Sequence, residues 1–168
     1  MSLLKITTFP DTILRLKAED ITDIDQELID LINSMYDTLY EYEGLGLAAP
    51  QISVSKKLFV IDTKKYYEDG EKLLLINPEI VEKEGSEKLE EGCLSVPDIH
   101  CEVKRAIKIL FRGYNLDGKL IEREAEGLLA RVIQHEFDHL NGILFIDRIS
   151  TINKHKIAKD LKKLKEKG

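Results

Sequence analysis

Two histidines are spaced to bind one metal ion from a single face of a helix. His135 and His139 enclose Glu136 in the pattern H-E-x-x-H. Four residues of an α-helix turn through about 400°, so both imidazoles project from the same side, one turn apart. The intervening carboxylate is rotated by about 100° and can reach a water at the metal without binding the metal itself. The pattern therefore predicts a metal centre in which Glu136 is the general base.

A hydrolytic metal centre needs a third protein ligand and an open position for water. Phe145 stands where a metzincin-like protease carries its third histidine, and no acid downstream is well placed for a gluzincin-like site. Upstream, Cys93 lies in the sequence E-G-C-L-S and is the favoured third ligand. The rivals are Cys101 and His100, but a second cysteine would close the site to water and leave the general base without a role.

The segment Gly44–Gln51 is rich in small residues. It matches the loose dinucleotide fingerprint G-x-G-x-x-A, yet it follows a helix pattern instead of a strand, and Pro50 falls where a phosphate-binding helix would begin. A nucleotide site is therefore not expected. Small residues would let the backbone lie against a substrate, and Gln51 would offer an amide donor. Alternatively, the segment is a tight structural turn with no role in substrate binding.

The histidines belong to a segment with helical periodicity that begins after Gly127 and ends at Asn141-Gly142. Its apolar residues recur at spacings of three and four: Leu128, Leu129, Val132, Ile133, Phe137 and Leu140. These flanks would bury both imidazoles, and a buried imidazole needs a partner. Burial favours a ligand role over an exposed helix that carries two histidines by chance.

The other elements are an amphipathic helix, short strands and a basic tail. A helix is predicted over Asp25–Tyr42, where Gly44 and Gly46 would stop it. Strands are predicted for three β-rich runs: Leu58–Asp62, Leu73–Ile76 and Ile107–Phe111. Turn signals lie at Asp69-Gly70, Asn77-Pro78 and Asp117-Gly118. A basic amphipathic helix follows from Ser150 onward, with a thin apolar stripe of Ile157, Ala158, Leu161 and Leu164.

This order of elements predicts an α+β fold, with mixed or antiparallel sheets around a central metal-binding helix and a basic C-terminal helix over residues 150–168. The chain has no internal repeats or linker-like stretches, so residues 1–168 are expected to form a single domain. A length of 168 residues with 43% hydrophobic side chains is enough for one full core.

Composition excludes several classes of function. The formal net charge of −6 argues against a general nucleic-acid or specific DNA partner. No apolar run approaches the roughly 18 residues that a membrane helix needs, and the start of the chain does not resemble a signal peptide. The two cysteines, Cys93 and Cys101, do not suggest a disulfide scaffold. We therefore expect a cytoplasmic protein, and the absence of a transit peptide favours a bacterial one.

Taken together, the three motifs resemble the peptide deformylase family. That family carries G-Φ-G-Φ-A-A-x-Q, then E-G-C-Φ-S, then H-E-Φ-D-H, where Φ is apolar, and all three stand here in that order. The likeness extends over nearly the whole chain, through residues 9–15, 126–131 and 140–147. Two positions depart from the pattern: Asp98 stands where many members have a glycine, and His100 where some have an arginine that contacts the substrate backbone.

The resemblance implies an enzyme that removes the formyl group from N-formylmethionine of nascent chains and releases formate. It implies a divalent metal on Cys93, His135 and His139, with Glu136 moving the proton. It assigns stabilisation of the developing oxyanion to the Gln51 amide and the backbone N–H of Leu94. A cramped site around Gly46 is expected to exclude acyl groups larger than formyl. A methionine pocket is expected to be lined by five residues: Leu45, Leu89, Leu128, Val132 and His135.

The identity of the metal is less determined than the ligand set. Two imidazoles and one thiolate accept zinc, iron, nickel or cobalt. Considered without the family resemblance, this ligand set suggests zinc. The resemblance implies Fe(II), with nickel or cobalt as functional substitutes. Two other classes of function remain open: a peptidase that cleaves internal peptide bonds, and a metal-stabilised binding module without catalysis.

The basic tail suggests a partner of its own. Residues 150–168 hold seven lysines and two acids, whereas residues 1–149 hold 18 basic and 29 acidic side chains. A solvated helix that docks on the domain through its leucines is one interpretation. The resemblance implies another, in which the lysine-rich helix binds weakly to ribosomal RNA by releasing counterions.

Overall fold

The computed structural model describes residues 3–167. Its three α-helices are α1 (Gln26–Glu41), α2 (Gly127–Leu140) and α3 (Thr151–Lys167). Its strands are β1 (Gly46–Ala48), β2 (Leu58–Asp62), β3 (Lys72–Glu84), β4 (Glu87–Cys93), β5 (Val96–Arg105), β6 (Lys108–Tyr114) and β7 (Leu120–Glu126). Short 3₁₀ segments cover Thr12–Arg15, Ala49–Ile52 and Phe145–Asp147. Within residues 3–167, no helix combines the length and hydropathy needed to cross a bilayer.

The strands form two antiparallel sheets. One has five strands in the order β1-β2-β3-β6-β7, and the other is the hairpin β4-β5. Every pairing between these strands is antiparallel. The α+β class predicted from the sequence is therefore confirmed, in its antiparallel form.

Strand β2 lies between helices α1 and α2 and shows why α2 is central. Its five residues are all buried, and successive side chains point to opposite faces of the sheet. Phe59 and Ile61 share a core cluster with apolar residues of α2. Leu58 and Val60 share a second cluster with the apolar stripe of α1. Helix α2 is thus packed on the sheet along a full face, which places its two histidines inside the protein.

The predicted strands and helices are present, but several boundaries differ from expectation. Helix α1 ends at Glu41, and the left-handed position after it is occupied by Glu43 at a φ of 55°, not by a glycine. The segment Gly44–Gln51, for which a tight structural turn was the alternative, contains strand β1. Asn77-Pro78 lies inside β3, where a positive φ at Asn77 and a register shift before Glu79 mark a bulge instead of a turn.

Strands β4, β5 and β7 were not predicted. Strand β4 is dominated by exposed charged residues, and β5 alternates buried apolar with exposed polar side chains after an initial Val-Pro. The tail helix α3 packs on a third core cluster through Ile157, with Leu161 and Leu164 partly buried. Ala158, which was expected in that apolar stripe, is exposed.

Candidate metal centre and active site

The favoured ligand set comes together in the folded chain. The ligand atoms of Cys93, His135 and His139 all lie within 4.8 Å of one another. The cysteine reaches the helix because it ends β4 at the tight turn into β5. The two imidazoles stand one turn apart on α2, with ring centroids 5.0 Å apart. Cys101 belongs to the apolar cluster under α3, against which Cys93 also packs, but Cys101 is not part of the ligand group.

Hydrogen bonding leaves a nitrogen of each imidazole available to a metal. His135 Nδ1 lies 2.9 Å from Glu91 Oε1, so its Nε2 is left to face the cluster. A carboxylate behind a histidine is a usual way to orient a metal ligand. His139 Nε2 lies 3.3 Å from Cys93 Sγ, while its Nδ1 is buried without a partner among the described residues. Burial lowers the pKa of His139, as do the nearby His135 and Arg105, which keeps this imidazole neutral.

These donors fit a divalent transition metal. One thiolate and two neutral imidazoles are a common set for zinc or iron, and three protein ligands leave a coordination position open for water. Cys93 Sγ and His139 Nε2 face each other 3.3 Å apart, as two ligands directed at one ion would. The site is therefore a candidate metal centre held by Cys93, His135 and His139.

The two cysteines provide a direct test of this ligand set. We expect Cys93→Ser to weaken metal retention and to change which metals are retained, because the soft sulfur ligand is lost. Cys101→Ser is the matched control and should leave metal content unchanged, since Cys101 is 8% exposed in an apolar cluster. Metal analysis after dialysis against a chelator measures both. Loss of metal from the Cys101 variant alone would contradict the assignment.

Behind the ligands runs a buried network of charged side chains. Glu91 accepts hydrogen bonds from Arg105 at 3.0 Å and from Arg131 at 2.6 Å. Arg105 also donates to Asp138 at 2.6 Å, and Asp138 accepts two further bonds from Arg148. Glu91, Arg105, Arg131 and Asp138 are all less than 10% exposed.

Glu91 is the residue of this network that acts on the metal centre. Its burial raises the pKa, but hydrogen bonds from His135 and Arg105 outweigh that effect and lower the pKa to about 2. The group is therefore an anion that fixes the orientation of the His135 ring. Sequence analysis missed this role, although Glu91 stands two residues before Cys93 in the E-G-C motif.

Glu136 has the properties expected of a general base. Its side chain is 3% exposed, and Oε1 has no hydrogen-bond partner among the described residues. Burial raises its pKa to about 7, so it can accept and return a proton near neutral pH. Gly46 leaves room for it, because a Cβ there would fall 2.8 Å from Glu136 Oε2. The missing side chain of Gly46 thus accommodates the carboxylate.

The Gln51 amide is held in one orientation beside Cys93. Its Oε1 accepts a hydrogen bond from the Ala48 backbone at 2.9 Å. Its Nε2 donates to Ser95 Oγ at 3.1 Å and lies 3.5 Å from Cys93 Sγ. The donor end of the amide is therefore directed towards the metal centre, and Gln51 itself is only 1% exposed.

A cavity of about 820 Å³ opens over these groups. Glu136, His135, Cys93 and Gln51 all contribute to its lining. Five further residues expected at the substrate also line it: Leu45, Gly46, Leu94, Leu128 and Val132. Leu89 is not among the lining residues and is 45% exposed on β4. Of the expected site residues, Leu89 lies outside this apolar cavity, and His139 is buried next to the lining residue Cys93 without lining the cavity itself.

Comparisons with known proteins agree with this geometry. Residues 3–155 match the family model described as polypeptide deformylase. The chain is 45% identical over 168 residues to a peptide deformylase from Acidobacterium capsulatum, covering 100% of this chain and 99% of the relative. It is 49% identical over 158 residues to one from Halothermothrix orenii, covering 94% of this chain and all of the relative.

Solved structures show the same fold. A crystal structure of a peptide deformylase from Legionella pneumophila superposes with a TM-score of 0.89 at 43% identity, covering 98% of this chain and 96% of that chain. Sequence relationship, fold and the order of the three motifs all lead to the same conclusion. The chain belongs to the polypeptide deformylase family of enzymes.

Proposed function

We propose that this chain hydrolyses the formyl group from N-formylmethionyl nascent peptides and releases formate, in the bacterial cytoplasm and as one domain of 168 residues. The observation that carries the proposal is the buried Glu136, whose pKa is about 7, beside the cluster of Cys93, His135 and His139 on the floor of an apolar cavity. Membership of the deformylase family supports the same reaction.

Cys93, His135 and His139 would hold one divalent ion per chain, with Fe(II) expected from the family and zinc, nickel and cobalt compatible with the donors. When bound, such an ion supplies Lewis acidity and lowers the pKa of a water molecule. Glu91 holds the His135 ring in place through its Nδ1 hydrogen bond. Buried beneath the cavity, these residues keep the geometry fixed before substrate arrives.

Glu136 moves the proton through the reaction. It accepts a proton from the attacking water, whose oxygen forms a bond to the formyl carbon. When the C–N bond breaks, it returns that proton to the leaving amine, so that formate and a free amino terminus result. A pKa of about 7 suits a group that must be both base and acid at the pH of the cell.

Charge that develops on the formyl oxygen needs hydrogen-bond donors. We assign this role to the Gln51 amide and to the backbone N–H of Leu94, which follows Cys93 and lines the cavity. The bond from Ala48 to Gln51 Oε1 fixes the amide so that Nε2 faces the site. Such a preorganised donor needs little rearrangement during the reaction.

Gln51→Ala should lower kcat by about two to three orders of magnitude with the metal content intact, the usual scale for losing one oxyanion donor. Ser95→Ala is the matched control, because it removes the protein partner of Nε2 but leaves the amide in place. We expect it to change kcat far less. Steady-state kinetics with metal analysis measures both, and an unchanged kcat in Gln51→Ala would leave Gln51 with a structural role only.

Specificity follows from the shape of the cavity. Leu45, Leu128 and Val132 supply an apolar wall suited to the unbranched thioether of methionine. Gly46 and Glu136 are in close contact at the floor, which leaves little space beyond the small hydrogen of a formyl group. Acetylated peptides should therefore be poor substrates.

The proposed activity is tested by release of formate from a formyl-Met peptide, using protein purified anaerobically to protect a ferrous ion. An acetyl-Met peptide and casein, assayed in parallel, test for other amide bonds. Formate release without cleavage of casein is the expected result. Cleavage of casein, or retained metal without hydrolysis of any formyl peptide, would overturn the proposal.

We further propose weak binding of α3 to the ribosome. Its lysines are exposed, and only Ile157 of the described helix is fully buried. In a full-length variant, four exposed lysines are changed to glutamine: Lys154, Lys156, Lys159 and Lys163. At low salt, we expect less of this variant than of the wild-type protein to co-sediment with ribosomes. At high salt, the two proteins should co-sediment equally. Hydrolysis of free peptides should be the same for both. Equal pelleting of both proteins would leave α3 a structural element.

A further inference from the structure

The three candidate ligands come from two parts of the protein that pack separately. His135 and His139 stand on α2, whose buried apolar residues share a core cluster with the five-stranded sheet. Cys93 ends β4 in the other sheet and packs, with the buried apolar residues of β5, in a different cluster under α3. The apolar clusters therefore leave the position of the thiolate relative to the imidazoles largely to other contacts.

Arg131 lies on the same face of α2 as the two histidines. Arg131, His135 and His139 stand four apart in the sequence, so their side chains form one row along the helix. Each member of this row contacts the β4-β5 hairpin. Arg131 donates to Glu91 at 2.6 Å, and His135 Nδ1 lies 2.9 Å from the same carboxylate. His139 Nε2 lies 3.3 Å from Cys93 Sγ, so the hairpin runs along the whole row.

Arg131 holds the hairpin at three points. Its Nη1 donates to the Glu91 carboxylate at 2.6 Å and to the backbone oxygen of Val103 at 2.9 Å. Its Nη2 donates to the backbone oxygen of Glu87 at 2.6 Å. These acceptors lie on both strands of the hairpin, and Arg131 is only 7% exposed. Because the guanidinium is planar and its donors are fixed relative to one another, the three bonds fix the hairpin against α2.

Arg131 is not needed to neutralise Glu91. Arg105 gives the same carboxylate two hydrogen bonds at 3.0 Å and is itself buried. Two of the three acceptors of Arg131 are backbone oxygens, which carry no net charge to be balanced. The contacts of Arg131 are therefore suited to fixing a position and not only to pairing a charge.

We infer that Arg131 is a positioning residue for the metal centre: it holds the β4-β5 hairpin against α2 so that the Cys93 thiolate meets the two imidazoles. The inference rests on the ligand set of the proposed function and adds a residue that preorganises it. Without Arg131 the hairpin can move relative to α2, and metal binding must then also order the hairpin. The loss falls on the cysteine, because His135 and His139 are held by one helix.

The test uses Arg131→Met, which keeps an unbranched apolar side chain but removes all three hydrogen bonds. Cobalt(II) is titrated anaerobically into the metal-free full chain in competition with a chelator, and the absorption spectrum is recorded. We expect cobalt affinity to fall about ten-fold, within the range found for residues that support metal ligands. The near-ultraviolet band that arises from a sulfur–cobalt bond should also weaken at saturating cobalt.

A second background connects the loss to the cysteine. In Cys93→Ala only the two imidazoles of one helix remain as ligands. Adding Arg131→Met to this variant should change cobalt affinity by less than about two-fold, since residues that act together give non-additive losses. Equal fold-losses in the two backgrounds would overturn the inference, because Arg131 would then not act through the position of Cys93.

A control variant separates positioning from general stability. Asn77→Ala removes two hydrogen bonds to the backbone of Ile21, and neither residue lines the cavity. Chemical denaturation of the metal-free proteins should show that this variant and Arg131→Met are both destabilised. The cobalt affinity and the sulfur band of Asn77→Ala should nevertheless match those of the wild-type protein. A comparable loss of affinity in this control would overturn the positioning role.

The wild-type spectrum separates this inference from the proposed function. A cobalt-loaded wild-type protein without a sulfur–cobalt band would overturn the ligand set on which the proposed function depends. A wild-type band, together with unchanged cobalt affinity and an unchanged band in Arg131→Met, would overturn only the role of Arg131.

Discussion

Glu136→Ala is expected to lower kcat on a formyl-Met peptide by about two to four orders of magnitude while the metal stays bound. The variant removes the group that, in the proposed reaction, carries the proton between water and the leaving amine. It leaves Cys93, His135 and His139 untouched, and Glu136 makes no hydrogen bond through Oε1 that the fold would lose. Kinetics and metal analysis on the same preparation measure the two effects. Activity within a few-fold of wild type would refute the role of Glu136.

Gly46 offers a second, independent test of the same carboxylate. A Cβ at position 46 would lie 2.8 Å from Glu136 Oε2, so Gly46→Ala must displace the carboxylate from its position. We expect Gly46→Ala to reduce kcat strongly in the wild-type background and much less when Glu136 is already alanine. Residues in direct contact show such non-additivity. Fully additive losses would mean that Gly46 acts through something other than Glu136.

Arg105→Ala is expected to lower the free energy of unfolding by about 3–5 kcal/mol, the range found when one partner of a buried ion pair is removed. Arg105 is 4% exposed and donates to both Glu91 and Asp138. Without it, two buried carboxylates lose a counter-charge. Chemical denaturation of the metal-free protein measures the loss separately from any contribution of the metal.

The control for this prediction is Arg112→Ala. Arg112 pairs with Glu79 on the surface, where both side chains are more than 40% exposed. Its removal should change stability far less, since solvent screens both charges. The Arg105 variant should also bind metal more weakly, because Glu91 orients His135. Equal destabilisation by the two variants would show that the buried network is not a major source of stability.

The local parts of this protein could be predicted from the sequence. The proposed metal ligands His135 and His139, with Glu136 between them, could be recognised because their arrangement depends only on the geometry of one helix turn. The three helices follow from the spacing of apolar residues, because each buries one stripe on the protein. The family resemblance rested on three short motifs and is confirmed by the comparisons.

The tertiary structure decided which residues distant in the sequence come together at the site. Cys93 meets His139 across 46 residues of sequence, and this contact depends on how the β4-β5 hairpin packs beside α2. The hairpin itself was missed, since its exposed charges conceal a strand pattern. Leu89, an apolar residue expected at the substrate, is 45% exposed on β4 and is not among the residues that line the cavity.

The buried charged side chains show most clearly what could not be predicted from local sequence patterns. Glu91, Arg105, Arg131 and Asp138 look in the sequence like ordinary surface residues, and a charged side chain is almost never buried unless it is paired. Their pairing partners lie on separate elements, β4, β5 and α2, so no local pattern reveals them. The sequence by itself determined which residues can bind a metal and move a proton. Only the tertiary structure decided which charges hold them in place, because desolvation and ion pairing depend on what surrounds a side chain in space.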